Sequence, residues 1–195
     1  KKYDKSLDYF KLVVAEFPNT PEASNAVEMI KATYIAMNQT EEYFEYASSN
    51  LDGYEVSPDE QDSISFLAAK NLYIDQNFYP ALQAFTNFLN NFPNSRNAVE
   101  AHYYKAELHF HFEENDKAMT SYMYVADAPR GIYSETSTIR AAGLLFDKED
   151  YQTAFNYYDK LYKIAENRNN KLIAAVGRLR CAYFTEMHDE VIAAA

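Results

Sequence analysis

Apolar and small residues return along this chain at steps of three and four, the spacing that places side chains on one face of an α-helix. Ala81, Phe85, Phe88 and Phe92 follow it, and so do Tyr103, Ala106 and Phe110. Short polar turns separate neighbouring helical stretches: Asn38-Gln39-Thr40, Asp75-Gln76-Asn77, Glu113-Glu114-Asn115-Asp116 and Asp147-Lys148-Glu149-Asp150. Connections this short join antiparallel neighbours. Stronger punctuation lies at Phe17-Pro18-Asn19-Thr20-Pro21-Glu22 and Phe92-Pro93-Asn94-Ser95. Pro ends one helix because it lacks an N–H, and Thr20 or Ser95 is placed to cap the next. Pro21 falls in a first turn, where a missing N–H costs nothing. Ser57-Pro58-Asp59-Glu60 has the form of a capping box.

The helical segments repeat. A small anchor position is read at Ser6, Glu42, Ala81, Ala118, Ala154 and Val191, at spacings of 36, 39, 37, 36 and 37 residues. Four residues after the anchor stands an aromatic: Phe10, Tyr46, Phe85, Tyr122 and Tyr158. Eight before it stands another: Tyr34, Tyr73, Phe110, Phe146 and Tyr183. Twelve before it the residues are Ile30, Ala69, Ala106, Ala142 and Leu179. Each unit therefore reads as two antiparallel helices, A then B. One such hairpin cannot bury both its apolar faces, so neighbours must stack. The longest spacing is assigned to an irregular junction at residues 50–56.

These columns resemble the tetratricopeptide repeat (TPR), which places a small residue early in helix A, another early in helix B, an aromatic four residues later and a Pro eight after that. Ala69, Ala81, Phe85 and Pro93 match all four positions. The resemblance implies an all-α, right-handed α-solenoid of tandem antiparallel helix pairs, about five to six units, as one array over residues 1–195. The pattern runs off both ends, so the array is expected to be part of a longer chain. Units longer than the usual repeat, with Phe-Pro-Asn junctions, are similar to TPR proteins of bacterial cell envelopes. That likeness implies a periplasmic or outer-membrane-associated location, with the cytoplasm as the alternative.

Composition agrees with helices: four Gly and six Pro are few, and 18 Tyr and 13 Phe supply large packing residues. A formal charge of −11 repels phosphate backbones and anionic lipid, which argues against nucleic acid as a partner. No apolar run approaches the ~20 residues of a membrane span. The single Cys181 has no second thiol for an internal disulfide and reads as a small core residue. The four isolated glycines form neither a phosphate loop nor a dinucleotide fingerprint. His109 and Glu113, with His102 two turns away, could share a helical face. Without the His-Glu-x-x-His pattern they read as ordinary side chains, so no metal, cofactor or catalytic residue is expected.

What remains is binding. In the TPR register the helix A wall takes residues three before, one after and four after the small column. These are Val27, Lys31 and Tyr34; Phe66, Lys70 and Tyr73; Tyr103, Glu107 and Phe110; Ile139, Gly143 and Phe146; and Val176, Arg180 and Tyr183. The aromatic column reads either as a ladder of rings gripping a peptide or as core packing. Glu107 and Gly143 interrupt the cationic column of Lys31, Lys70 and Arg180, so a clamp for a terminal carboxylate is not expected. The resemblance implies a non-enzymatic scaffold holding a partner protein or peptide in a concave groove. A carbohydrate- or small-ligand-binding helical envelope protein is the alternative.

Overall fold

The computed structural model describes residues 2–51 and 54–185. Among them are ten α-helices and no strand: α1 (Lys2–Glu16), α2 (Pro21–Met37), α3 (Thr40–Asn50), α4 (Pro58–Ile74), α5 (Phe78–Asn91), α6 (Ala98–His111), α7 (Asn115–Asp127), α8 (Ser134–Asp147), α9 (Tyr151–Ile164) and α10 (Arg168–Phe184). They form tandem antiparallel pairs in which α2, α4, α6, α8 and α10 are A helices and α3, α5, α7 and α9 are B helices. The chain divides into two compact units, Lys1–Ser95 and Arg96–Ala195.

Local chemistry sets the helix starts. Thr20 caps α2 by accepting the Ala23 N–H at 3.1 Å, and Ser57 caps α4 by accepting the Glu60 N–H at 3.2 Å. Glu60 does not complete a capping box; its carboxylate accepts from Lys31 Nζ and the Tyr54 hydroxyl instead. Ser95 does not cap α6, since its hydroxyl donates to Asp62 at 2.9 Å and Asn97 occupies the cap.

Among the described residues every A-to-B turn closes the same way. Asn38, Gln76, Glu113 and Glu149 have φ of 53°, 60°, 60° and 63°, in the left-handed region. Each donates its N–H to the carbonyl three residues back, and the next residue donates to the carbonyl five back: Tyr34, Leu72, His109 and Leu145. This double bond is the Schellman closure, which usually employs Gly. Here Gln and Glu carry a steric cost on the order of 1 kcal/mol at each such turn. Gln76 is exposed, so Gln76→Gly is expected to raise the melting temperature by about 2–4 °C. Asn38→Gly should gain less, because Asn tolerates this region. Differential scanning calorimetry of the two variants checks the order.

These left-handed residues also fix the register. Five residues beyond them lie Tyr43, Ala81, Ala118 and Ala154, all buried. The anchor of the first pair is therefore Tyr43, 1% exposed, and not Glu42, which is exposed. Likewise Ser6 is exposed and Leu7 is buried beside it. Seven residues before the left-handed position lie Lys31, Ala69, Ala106 and Ala142, so Ile30 belongs one place earlier in that frame. Leu179 is 45% exposed and does not continue the small column. Val191 and His188 lie outside the described residues.

The substitutions explain a difference in packing. Buried Ala stands in both columns of the packed pairs α4–α5, α6–α7 and α8–α9, and small residues at a crossing let helix axes approach. In the first pair the same columns hold Lys31 and Tyr43. α2 touches α3 only lightly and packs chiefly on α1. Size order is inverted along the B helices too: Tyr43 and Ala47 stand where Ala81 and Phe85 do, and all four are buried.

In the unit Arg96–Ala195, α7 packs on both α6 and α8, and α9 on both α8 and α10. Its core joins Ala106, Ala118, Tyr122, Ala142, Leu145, Ala154, Tyr158 and Cys181. Burial pushes the Cys181 thiol up to about 11, so it packs as a neutral group. Its other unit gathers Leu7, Ile30, Tyr34, Tyr43, Ala47, Val56 and Ile64.

Candidate functional site: the helix A face

Burial removes two predicted contact residues in the unit Lys1–Ser95. Tyr34 is 6% exposed, packs on Tyr43 at 6.3 Å and accepts a hydrogen bond from Lys11 Nζ at 2.8 Å. Phe66 is 8% exposed and lies between Phe85 and Phe88, with ring centroids at 6.2 and 5.5 Å. Both serve the core. Lys31 donates to Glu60 at 2.6 Å. Partial burial works against its charge, but the Glu60 carboxylate more than offsets this and holds Lys31 above its ordinary value. Lys70 lies 5.8 Å from the Phe66 ring centre, and Tyr73 packs on Phe78 at 5.9 Å.

The second unit keeps more of its predicted residues at the surface. Tyr103 on α6 is half-buried and stacks on Tyr133 at 4.1 Å, 20° from parallel. Tyr133 in turn donates to Glu100 at 3.0 Å. Glu107 accepts from the Tyr122 hydroxyl of α7 at 2.5 Å. Burial, then this carboxylate, drives the Tyr122 phenol well above its usual range, so it remains a donor. The acids that face α7 and Tyr133 are thus already bonded.

Arg140, and the pairing of arginines with rings, was the missing part of the sequence reading. Arg140 on α8 lays its guanidinium 4.6 Å from the Phe110 ring centre on α6. Arg180 on α10 lies 4.1 Å from the Phe146 ring centre on α8. Consecutive A helices are therefore linked by two cation–aromatic steps. Rings covered by guanidinium do not form a bare ladder, which revises that half of the aromatic-column expectation. Between the steps Gly143 opens a gap: a Cβ built there meets nothing within 4 Å. Beyond them Phe146 packs edge-on against Tyr151 at 5.1 Å and Phe184 at 5.9 Å, and Tyr183 is 73% exposed.

The histidines are not drawn together. His109 Nδ1 pairs with Glu114 Oε2 at 2.6 Å, and Glu113 is the left-handed turn residue. His102 stacks on Tyr124 at 3.8 Å, and burial pulls its pKa down to about 4, so it is neutral at pH 7. His102 therefore acts as a neutral packing group. A cleft of about 570 Å³ at the α6–α7 turn is lined by Glu113, Glu114, Asp116, Lys117, Met119, Leu144 and Lys148 among others. Both of its lysines are paired, Lys148 with Asp116 and Lys117 with Glu114 at 2.7 Å, while Glu113 and Asp147 leave the lining net acidic.

Repeated A–B pairs with B helices wedged between A helices define an all-α helical-repeat protein. No protein-family model matches the chain, and no curated protein matches its sequence. Among solved structures it is similar to the apo form of RapI, with a TM-score of 0.51 and 16% identity over 94% of this chain and 55% of that one. It is similar also to PilF of Pseudomonas aeruginosa, with a TM-score of 0.51 and 13% identity over 100% of this chain and 90% of that one. Both are TPR-repeat proteins, and the fold of this chain is TPR-like. The chain spans about half the length of RapI.

Proposed function

We propose that this chain is a non-enzymatic scaffold that holds a partner protein or peptide against the helix A face of its second unit. One observation carries the reading: on that face Arg140, Gly143, Arg180 and Tyr183 stay accessible while the B helices fill the core behind them. Rigid stacked side chains on rigid helices form a contact surface with little ordering to lose on binding. Sugar binding would favour bare ring faces, and the Phe110 and Phe146 rings are capped by guanidinium. A bacterial envelope location, read from unit length and the Phe-Pro-Asn junctions, belongs to this proposal, and fractionation of source cells tests it.

Gly143→Trp tests the binding face. The substitution fills open space and replaces a helix-interior Gly, so the thermal melt should not fall. Partner proteins recovered from source-cell extract with the parent chain should be lost with Gly143→Trp. Retention of the same partners would refute this location for binding.

A further inference from the structure

Resting on that reading, we infer that the occupant of this face is a peptide segment bearing acidic side chains, held by Arg140 and Arg180. Each guanidinium carbon lies over a Phe ring, 4.6 Å and 4.1 Å from its centre. The N–H donors lie in the plane of the group and remain available at its edges. Among the described residues neither arginine has a carboxylate partner or a hydrogen bond. Several neighbouring cations around α8 to α10 differ in this, although Arg168 and Lys171 at the start of α10 are also without a carboxylate. Arg130 donates to Glu166, Lys148 to Asp116, Lys160 to Asp127, and Arg178 lies 3.3 Å from Asp159.

Arg140 and Arg180 are set apart by lying over Phe rings of neighbouring A helices while lacking carboxylates in a chain of net charge −11. The ring beneath each limits its motion, so less freedom is lost when a carboxylate engages the guanidinium with two parallel bonds. Gly143, three residues along α8 from Arg140, leaves room for a backbone between the two sites. The wall's own carboxylates, Glu100 and Glu107, accept from Tyr133 and Tyr122. Charge complementarity therefore favours acidic side chains at the arginines, with apolar contact to Tyr183.

The test selects a displayed random-peptide library on the full chain and measures the consensus peptide by fluorescence anisotropy. Acidic consensus peptides are expected. Arg140→Ala and Arg180→Ala should each weaken binding roughly tenfold, and peptide Glu→Gln changes should match that loss. Arg140→Lys should not restore it, because an ammonium lacks the planar fork. Neutral or basic consensus peptides that Gly143→Trp displaces would overturn the acidic occupant and leave the binding face standing. Acidic peptides indifferent to both arginine variants would likewise overturn it. Peptides indifferent to Gly143→Trp, or no enrichment, would overturn the face and the occupant together.

Discussion

Gly177→Ala is expected to lower the melting temperature of this protein, and Gly143→Ala to raise it. Both glycines lie inside A helices, where Ala is intrinsically better by about 0.5–1 kcal/mol. Surroundings decide the sign. At Gly143 a Cβ meets open space, so the intrinsic gain is realised. At Gly177 it would lie 2.4 Å from Tyr158 Cδ1 and 2.5 Å from Cε1 and Cγ. Those atoms belong to the root of the ring and cannot swing aside like the end of a flexible chain. Tyr158 is 8% exposed and wedged among Ala142, Ala154 and Cys181 in the core.

Overpacking of this kind costs about 1–3 kcal/mol. The net for Gly177→Ala is therefore a loss of about 1–2 kcal/mol, and Gly177→Leu should lose about 3 kcal/mol or more. A double-mutant cycle isolates the cause. In a Tyr158→Ala background the ring is gone, and Gly177→Ala should then stabilise. Calorimetry showing the same destabilisation with and without the ring would refute close helix approach as the reason for this glycine.

Gly177 also shows where sequence reasoning stops. As a residue it appears isolated, without a turn or motif to explain it, because its partner Tyr158 belongs to the preceding helix. Arg140, and the placing of Arg180 over Phe146, escaped for the same reason. Arg140 and Arg180 lie 30 and 34 residues from the rings they cover, and no local periodicity links such pairs. By contrast, Ala81, Ala118 and Ala154 were legible because one constraint, close crossing of A and B, recurs at a fixed spacing. Those positions are all completely buried. The helix starts at Thr20 and Ser57 were legible through side chains that reach only three residues.

Turn geometry was the costliest omission. A left-handed residue marks each A-to-B turn, and Gly would have displayed it in the sequence. Asn38, Gln76, Glu113 and Glu149 hide it among ordinary polar residues. Without that ruler, the first pair is aligned one residue out. Glu42 was then taken for an anchor and Tyr34 for a wall residue. Physically, the first pair tolerates Lys31 and Tyr43 in columns that are Ala elsewhere because its two helices stand apart. The half-buried Lys31–Glu60 pair, 2.6 Å long, satisfies the ammonium that this spacing admits.

The corrected register makes a sharp demand on two adjacent residues. Tyr43→Ala is expected to cost about 3–5 kcal/mol, the range for deleting a fully buried aromatic. Its ring contacts Tyr34 at 6.3 Å and Phe44 at 6.0 Å, and it shares the core with Ile30, Ala47 and Val56. Ala47, one turn further along α3, is too small to refill the space. Glu42→Ala, at an exposed first-turn position, should change stability by less than about 0.5 kcal/mol. If Glu42 were the anchor, the two results would exchange: Ala would fit the column, and loss of an outward Tyr43 would be mild. Urea unfolding followed by tyrosine fluorescence separates the alternatives, since the midpoint should fall steeply for Tyr43→Ala alone. A far smaller midpoint shift for Tyr43→Ala than for Glu42→Ala would restore the uncorrected alignment and remove the reason given for the loose first pair.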